Sequence, residues 1–177
     1  MGGCISRTYY KNGQVKSEGY YQDDKKNGEW VSYHENGKLE SKGSYNKGGN
    51  KHGKWIKYYD DGKLKEKGNY QDDKKHGEWV YYHENGKLKE KGNYKDDMLH
   101  GEWVSYYENG KLSYKGWLYG GEQHGEWVSY YENGELQEKG NYKDDMLHGE
   151  WVSYYKDGEL ESKETYKDGK EDGEWVS

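Results

Sequence analysis

Five histidines, His52, His76, His100, His124 and His148, each stand immediately before a glycine, and the pairs Asp23-Asp24, Asp72-Asp73, Asp96-Asp97 and Asp144-Asp145 recur a few residues ahead of glycines of the same kind. Imidazole and carboxylate groups are the usual ligands of zinc and calcium and the usual proton carriers of acid–base chemistry. Metal binding needs convergence, whereas residues one repeat apart are separated by two strand spacings, about 10 Å. Calcium loops space their carboxylates around a glycine, and these pairs do not. We therefore read the histidines as loop residues along one edge, an edge that would gain positive charge below about pH 6.5. The aspartates read as solvated turns. No nucleophile stands beside a base, and every candidate acid or base is copied several times, so no catalytic residue, metal ligand or cofactor is expected and the chain reads as non-enzymatic.

A second chemistry lies in the rings. Trp30, Trp55, Trp79, Trp103, Trp127 and Trp151, with Tyr59, Tyr107, Tyr131 and Tyr155, would form a ladder along one sheet face. Such a ladder could hold a flat partner, a peptide or, by cation–π contact, a choline-like or glycan ligand. It could equally be the only core of a sheet without a second layer.

The unit that must position these residues is clearest in residues 101–119, GEWVSYYENGKLSYKGWLY, and its copy in residues 125–142, GEWVSYYENGELQEKGNY. Asn109-Gly110 at its centre predicts a two-residue type I′ hairpin turn, since both central positions need positive φ. Around that loop Glu108 would face Lys111, Tyr107 would face Leu112, Ser105 would face Tyr114 and Trp103 would face Gly116, placing Trp103, Tyr107 and Leu112 on one side. Gly116 would leave room for the Trp103 indole to lie over bare backbone. Val104 and Tyr106, opposite Lys115 and Ser113, would make the other, half-solvated face.

Turn dipeptides recur at Asn12-Gly13, Asn36-Gly37, Asp61-Gly62, Asn85-Gly86, Asn109-Gly110, Asn133-Gly134 and Asp157-Gly158, spaced by 24 residues with one interval of 25. A fixed period of this size marks a repeat array. One extra residue in NKGGNKHG, between Tyr45 and Gly53, accounts for the odd interval. Connectors such as KDDMLH and QDDKKH would hand each hairpin to the next. The expected fold is all-β, an elongated single-layer antiparallel meander of tandem hairpins, with about fifteen strands in a twisted open sheet about 70 Å long. Residues 1–7 read as a tail and residues 8–177 as the repeat domain.

Composition supports an open sheet over a globular core. Only 29% of the 177 residues are hydrophobic and the mean hydropathy is −1.60, values that by themselves point to disorder. Against that stand 22 Tyr and 8 Trp, with no Phe and no Pro, rings whose polar handles suit half-buried positions. The net charge is −6 and Arg7 is the only arginine, which argues against nucleic acid and against direct attraction to anionic lipid. No run of residues is long and apolar enough for a membrane-spanning helix. The single cysteine, Cys4, excludes an intrachain disulfide.

The first residues, MGGCISRT, fall outside the period. Gly2 followed by Ser6 fits N-myristoylation, with Cys4 as a palmitoylation site, and Gly-Gly-Cys equally resembles the end of a bacterial lipoprotein signal. Either would make the protein membrane-tethered; an unmodified start would leave it cytoplasmic.

The full pattern, G-x-W-V-x-Y-Y-x-N-G-x-L-x-x-K-G-x-Y with a connector ending in His-Gly, resembles the MORN repeat in the variant form of the YwqK family of bacterial antitoxin-like proteins. It spans about Thr8 to Ser177. The resemblance implies a single-layer sheet of hairpins acting as a platform for a protein partner, and for that variant family a toxin as the partner. Trp117-Leu118-Tyr119 departs from the usual Asn-Tyr-Lys, and Lys163-Glu164-Thr165 from Lys-Gly-Asn, which removes a glycine opposite Trp151. An open edge near Trp175 would allow a homodimer by strand addition.

Overall fold

The computed structural model describes residues 4–173. Its strands are β1 (Cys4–Tyr9), β2 (Val15–Gln22), β3 (Lys25–Tyr33), β4 (Leu39–Tyr45), β5 (Lys51–Tyr58), β6 (Leu64–Gln71), β7 (Lys74–Tyr82), β8 (Leu88–Lys95), β9 (Met98–Tyr106), β10 (Leu112–Tyr119), β11 (Glu122–Tyr130), β12 (Leu136–Lys143), β13 (Met146–Tyr154), β14 (Leu160–Lys167) and β15 (Lys170–Glu171). They are hydrogen-bonded in chain order as a 15-stranded open antiparallel sheet. Two compact units divide it, one holding the described residues up to Gly86 with Tyr94–Asp97, the other holding Lys87–Asn93 and the described residues from Met98 onward.

Residues 4–7 of the tail expected over residues 1–7 are strand. Cys4, Ile5, Ser6 and Arg7 already belong to β1, paired with Tyr21, Tyr20, Gly19 and Glu18. The reason is that β2 must run to Gln22 to pair with β3, which leaves its other edge seeking partners; the Arg7–Glu18 ion pair at 2.8 Å adds to the match.

The Asn-Gly loops differ from the expectation. Tyr107 N–H donates to the Lys111 carbonyl at 2.9 Å and Gly110 N–H donates to the Tyr107 carbonyl at 2.8 Å, so the loop has three residues, Glu108, Asn109 and Gly110. Positive φ occurs at Gly110 (91°) and not at Asn109. This is a type I turn closed by a glycine bulge. Tyr106, and not Tyr107, therefore pairs with Leu112; a second bulge before Tyr114 restores the expected pairs Ser105–Tyr114 and Trp103–Gly116.

The two-residue turns with positive φ at both positions lie in the connectors instead. Asp96 and Asp97 have φ of 53° and 68°, and Asp72 and Asp73 have 52° and 67°. Each Asp pair is a tight hairpin, so the connectors are strand, and the glycine expected to start β9, Gly101, lies inside it. The extra residue between Tyr45 and Gly53 converts one tight turn into a three-residue loop, closed by Gly49 N–H to the Asn46 carbonyl at 2.9 Å.

The glycine two residues before Trp30, Trp55, Trp79, Trp127 and Trp151 lies in a bulge. Lys115 pairs with Val128 and Trp117 with His124, so Gly125, Glu126 and Trp127 together oppose Gly116. Gly125 takes φ of 71°, which glycine adopts without strain. The break in the ladder releases the Trp117 carbonyl, and the Trp127 indole N–H donates to it at 3.3 Å. Trp30, Trp55 and Trp79 do the same to the carbonyls of Tyr20, Ser44 and Asn69. The ring over Gly116 is thus Trp127 and not its register partner Trp103, which lies over Gly92; a Cβ on Gly116 would sit 2.2 Å from the Trp127 ring.

Candidate binding site

In the first unit the tryptophans alternate with tyrosines of the Gly-x-Tyr motif. Tyr21, Trp30, Tyr45, Trp55, Tyr70, Trp79 and Tyr94 meet edge to face with centroids between 5.0 and 6.3 Å, the geometry that ring quadrupoles favour. A lysine from the start of β3, β5 and β7 caps a Trp–Tyr pair in each case. Lys26 Nζ lies 4.3 Å from the Trp30 ring centre and 5.1 Å from that of Tyr45, and Lys51 Nζ lies 4.9 Å from those of Trp55 and Tyr70. Lys75 Nζ touches three rings, Trp79 at 4.4 Å, Tyr81 at 5.2 Å and Tyr94 at 5.1 Å, and donates to the Tyr81 hydroxyl at 2.7 Å. Burial lowers the pKa of Lys26 and of Lys75, partly offset at Lys75 by Glu66 and Asp97. Under these caps Trp79 is 1% exposed.

The second unit has the rings without the caps. Leu99, Gln123 and Leu147 stand where the first unit has lysine. Leu118 takes the tyrosine rung between Trp103 and Trp127, and Tyr114 takes a position that is Glu66 in the first unit and Glu138 one hairpin later. The smaller leucine leaves a groove of about 460 Å³ lined by Leu99, Trp103, Tyr114, Leu118, Gln123, Trp127, Glu138, Tyr142 and Trp151 among others. Tyr114 stacks on Trp127 at 6.2 Å, and Trp127 meets Tyr142 and Tyr142 meets Trp151 edge to face at 6.0 and 5.3 Å. Trp127 and Trp151 are half-buried. Burial, then the Glu138 and Asp145 carboxylates, raise the Tyr142 pKa.

Of the rings singled out from sequence, Trp30, Trp55, Trp79, Trp103, Trp127 and Trp151 lie on one face of their units. Tyr59, Tyr107, Tyr131 and Tyr155 are not rungs between them. Tyr59, Tyr107 and Tyr131 sit at the Asn-Gly or Asp-Gly turns, and their hydroxyls donate to the carbonyls of Tyr82, Tyr130 and Tyr154 at 2.6, 2.6 and 2.9 Å, coupling each hairpin to the next. Tyr155 is exposed. Burial and nearby carboxylates raise the pKa of Tyr59 and of Tyr131. The rungs are Tyr21, Tyr45, Tyr70, Tyr94 and Tyr142 of the Gly-x-Tyr motif; sequence reasoning selects Tyr107 and its equivalents in their place because the register at the turn is shifted by one.

The histidines stay apart. His52, His124 and His148 each stand 3.7 to 4.0 Å from an aspartate of the next connector, Asp72, Asp144 and Asp168, all at the surface. Among the described residues no group of three or more His, Cys, Asp or Glu could hold a metal ion. The second aspartate of three of the pairs does more than meet solvent: Asp73, Asp97 and Asp145 accept through Oδ1 from the main-chain N–H of Lys51, Lys75 and Gln123 at 2.8, 2.7 and 2.6 Å. Gly2 lies outside the described residues, as does Trp175; Cys4 is described only as the backbone that begins β1.

No curated protein matches the chain. Two solved structures, of the TcdB2-TccC3-Cdc42 and TcdB2-TccC3 assemblies, align over 94% of it at 16% identity with TM-scores of 0.25, and it spans only 11% and 12% of their chains. A likeness so loose carries no argument about function. The family model for the MORN repeat variant matches seven times, over residues 5–23, 26–47, 51–72, 75–96, 99–119, 123–144 and 147–168. With seven matched repeats that coincide with the hairpins described above, the chain belongs to the MORN repeat variant family.

Proposed function

We propose that this chain is a non-enzymatic scaffold that binds a protein partner on the tryptophan face of its second unit. The observation that carries this reading is the groove at Trp127, where Leu118 and Gln123 replace the tyrosine rung Tyr70 and the lysine cap Lys75 that cover Trp79. A half-buried aromatic patch with a few polar groups at its margin is the composition of an interface hot spot. An antitoxin or immunity role is the most concrete version, and its support is the resemblance of the repeat pattern to antitoxin-like proteins.

The test is affinity capture from the native host with the wild-type chain and with Tyr114→Glu/Leu118→Tyr, which restores at both positions the residue found in neighbouring repeats and fills the groove. One stoichiometric protein captured by the wild type and lost by the folded variant is expected. Equal capture by both, or no specific protein with either, contradicts the reading.

A further inference from the structure

The first unit shows what an aromatic cage of this fold holds. Lys75 stands four residues ahead of Trp79, and its ammonium touches Trp79, Tyr81 and Tyr94. Gln123 stands four residues ahead of Trp127. The Trp127–Tyr142 pair, with centroids 6.0 Å apart and planes at 80°, reproduces the Trp79–Tyr94 pair at 6.3 Å and 78°. Tyr114 supplies the third ring, stacked on Trp127 at 6.2 Å and 22°, as Tyr81 is on Trp79 at 6.1 Å and 28°. Tyr81 comes from the tryptophan's own strand and Tyr114 from the preceding one, so the two ring pairs around each tryptophan match although the stacked ring is supplied from a different position. The cation has been replaced by an uncharged amide.

The site is also held in shape and in charge. Asp145 clamps the main chain of Gln123 as Asp97 clamps that of Lys75. Glu138, whose Oε1 accepts from the Ser129 hydroxyl at 3.3 Å, lines the groove and keeps further acceptor capacity. A carboxylate beside three rings favours a cation that also has N–H groups to donate.

We propose that the cage of Trp127, Tyr114 and Tyr142 takes the ammonium of a lysine side chain presented by a protein partner. The proposal rests on the scaffold reading above and names the chemistry of its contact. The lysine is favoured over a quaternary ammonium because lysine occupies the matching three-ring cage at Trp79 and caps the Trp–Tyr pairs at Trp30 and Trp55, and because Glu138 accepts hydrogen bonds that a quaternary centre cannot donate.

The test titrates the full chain with Nα-acetyl-lysine methylamide, with its uncharged norleucine counterpart and with tetramethylammonium, following indole N–H signals by NMR. The lysine amide should shift the Trp127 signal saturably and the norleucine amide should not. Gln123→Lys, which installs the residue found in the first unit, should weaken the response by roughly tenfold or more, the scale of a desolvated cation–π contact. Lys75→Gln should make Trp79 responsive. Equal response to norleucine, response to tetramethylammonium alone, or an unchanged response in Gln123→Lys would each overturn the proposal. A partner captured equally by wild type and Gln123→Lys, but lost by Tyr114→Glu/Leu118→Tyr, would overturn the lysine cage and leave the scaffold standing.

Discussion

Asp145 closes on Gln123 through two hydrogen bonds, its carboxylate accepting from the Gln123 N–H at 2.6 Å and its own N–H donating to the Gln123 carbonyl at 3.1 Å. A turn residue of one hairpin thereby fixes the main chain of the preceding one beneath the groove. Asp97 and Asp73 make the same pair of bonds to Lys75 and Lys51. Nearest-neighbour coupling of this kind is how a repeat protein without a second layer gains stability.

Asp145→Ala removes the carboxylate acceptor and places alanine at φ of 62°, and it should cost about 1–2 kcal/mol in urea unfolding. Asp145→Asn keeps an acceptor and tolerates positive φ, so it should cost a few tenths at most. Equal losses for the two would show that the clamp contributes nothing.

Gly68→Ala and Gly53→Ala separate packing from backbone strain. A Cβ on Gly68 would sit 2.2 Å from the ring of Trp79, whereas one on Gly53, at φ of 73°, would meet nothing within 4 Å. We expect about 3 kcal/mol or more for Gly68→Ala, which displaces a buried indole, and about 1 kcal/mol for Gly53→Ala. The order is read from denaturation midpoints, and its reversal would contradict the placement of Trp79.

Tyr70 gives a pH dependence of known sign. Burial, then the carboxylates of Glu66, Asp97 and Asp73, push its pKa from 10.0 up to about 12. Between those values the unfolded phenol is ionised and the folded one is not, so the unfolded state binds fewer protons and stability falls as pH rises. The contribution is complete below pH 10.0 and lost through about 12. Lys75, with its pKa lowered, acts in the opposite sense just below its ordinary value of 10.5. Tyr70→Phe should flatten the alkaline fall measured by thermal unfolding across this range; an unchanged fall would place the cause elsewhere.

Much of the fold is legible in the sequence, for reasons that individual residues show. The period of the Asn-Gly and Asp-Gly dipeptides gives hairpins and their order, and the pairing of Trp103 with Gly116 follows from counting outward from Asn109. The turn type does not follow, because Asn-Gly serves both a two-residue turn and a three-residue loop, and only the Tyr107–Lys111 hydrogen bond distinguishes them. The Asp pairs hide the tight turns, since two adjacent non-glycine residues at positive φ are uncommon. That Trp127, and not Trp103, covers Gly116 depends on packing between hairpins, which the pattern within one hairpin does not encode. The groove is written in departures from the repeat: Leu118 was visible as one, but Tyr114 and Gln123 gain meaning only beside Glu66 and Lys75 in space.

The most direct test of the account is hydroxyl-radical footprinting of the free protein, read by mass spectrometry at individual tryptophans. The lysine-capped Trp79, 1% exposed, should be the slowest to oxidise, and Trp127 in the open groove should be oxidised several-fold faster, with protection of Trp127 when the partner is bound. Equal oxidation of Trp79 and Trp127 would mean that the two units present the same covered face, and would contradict an open binding platform in the second.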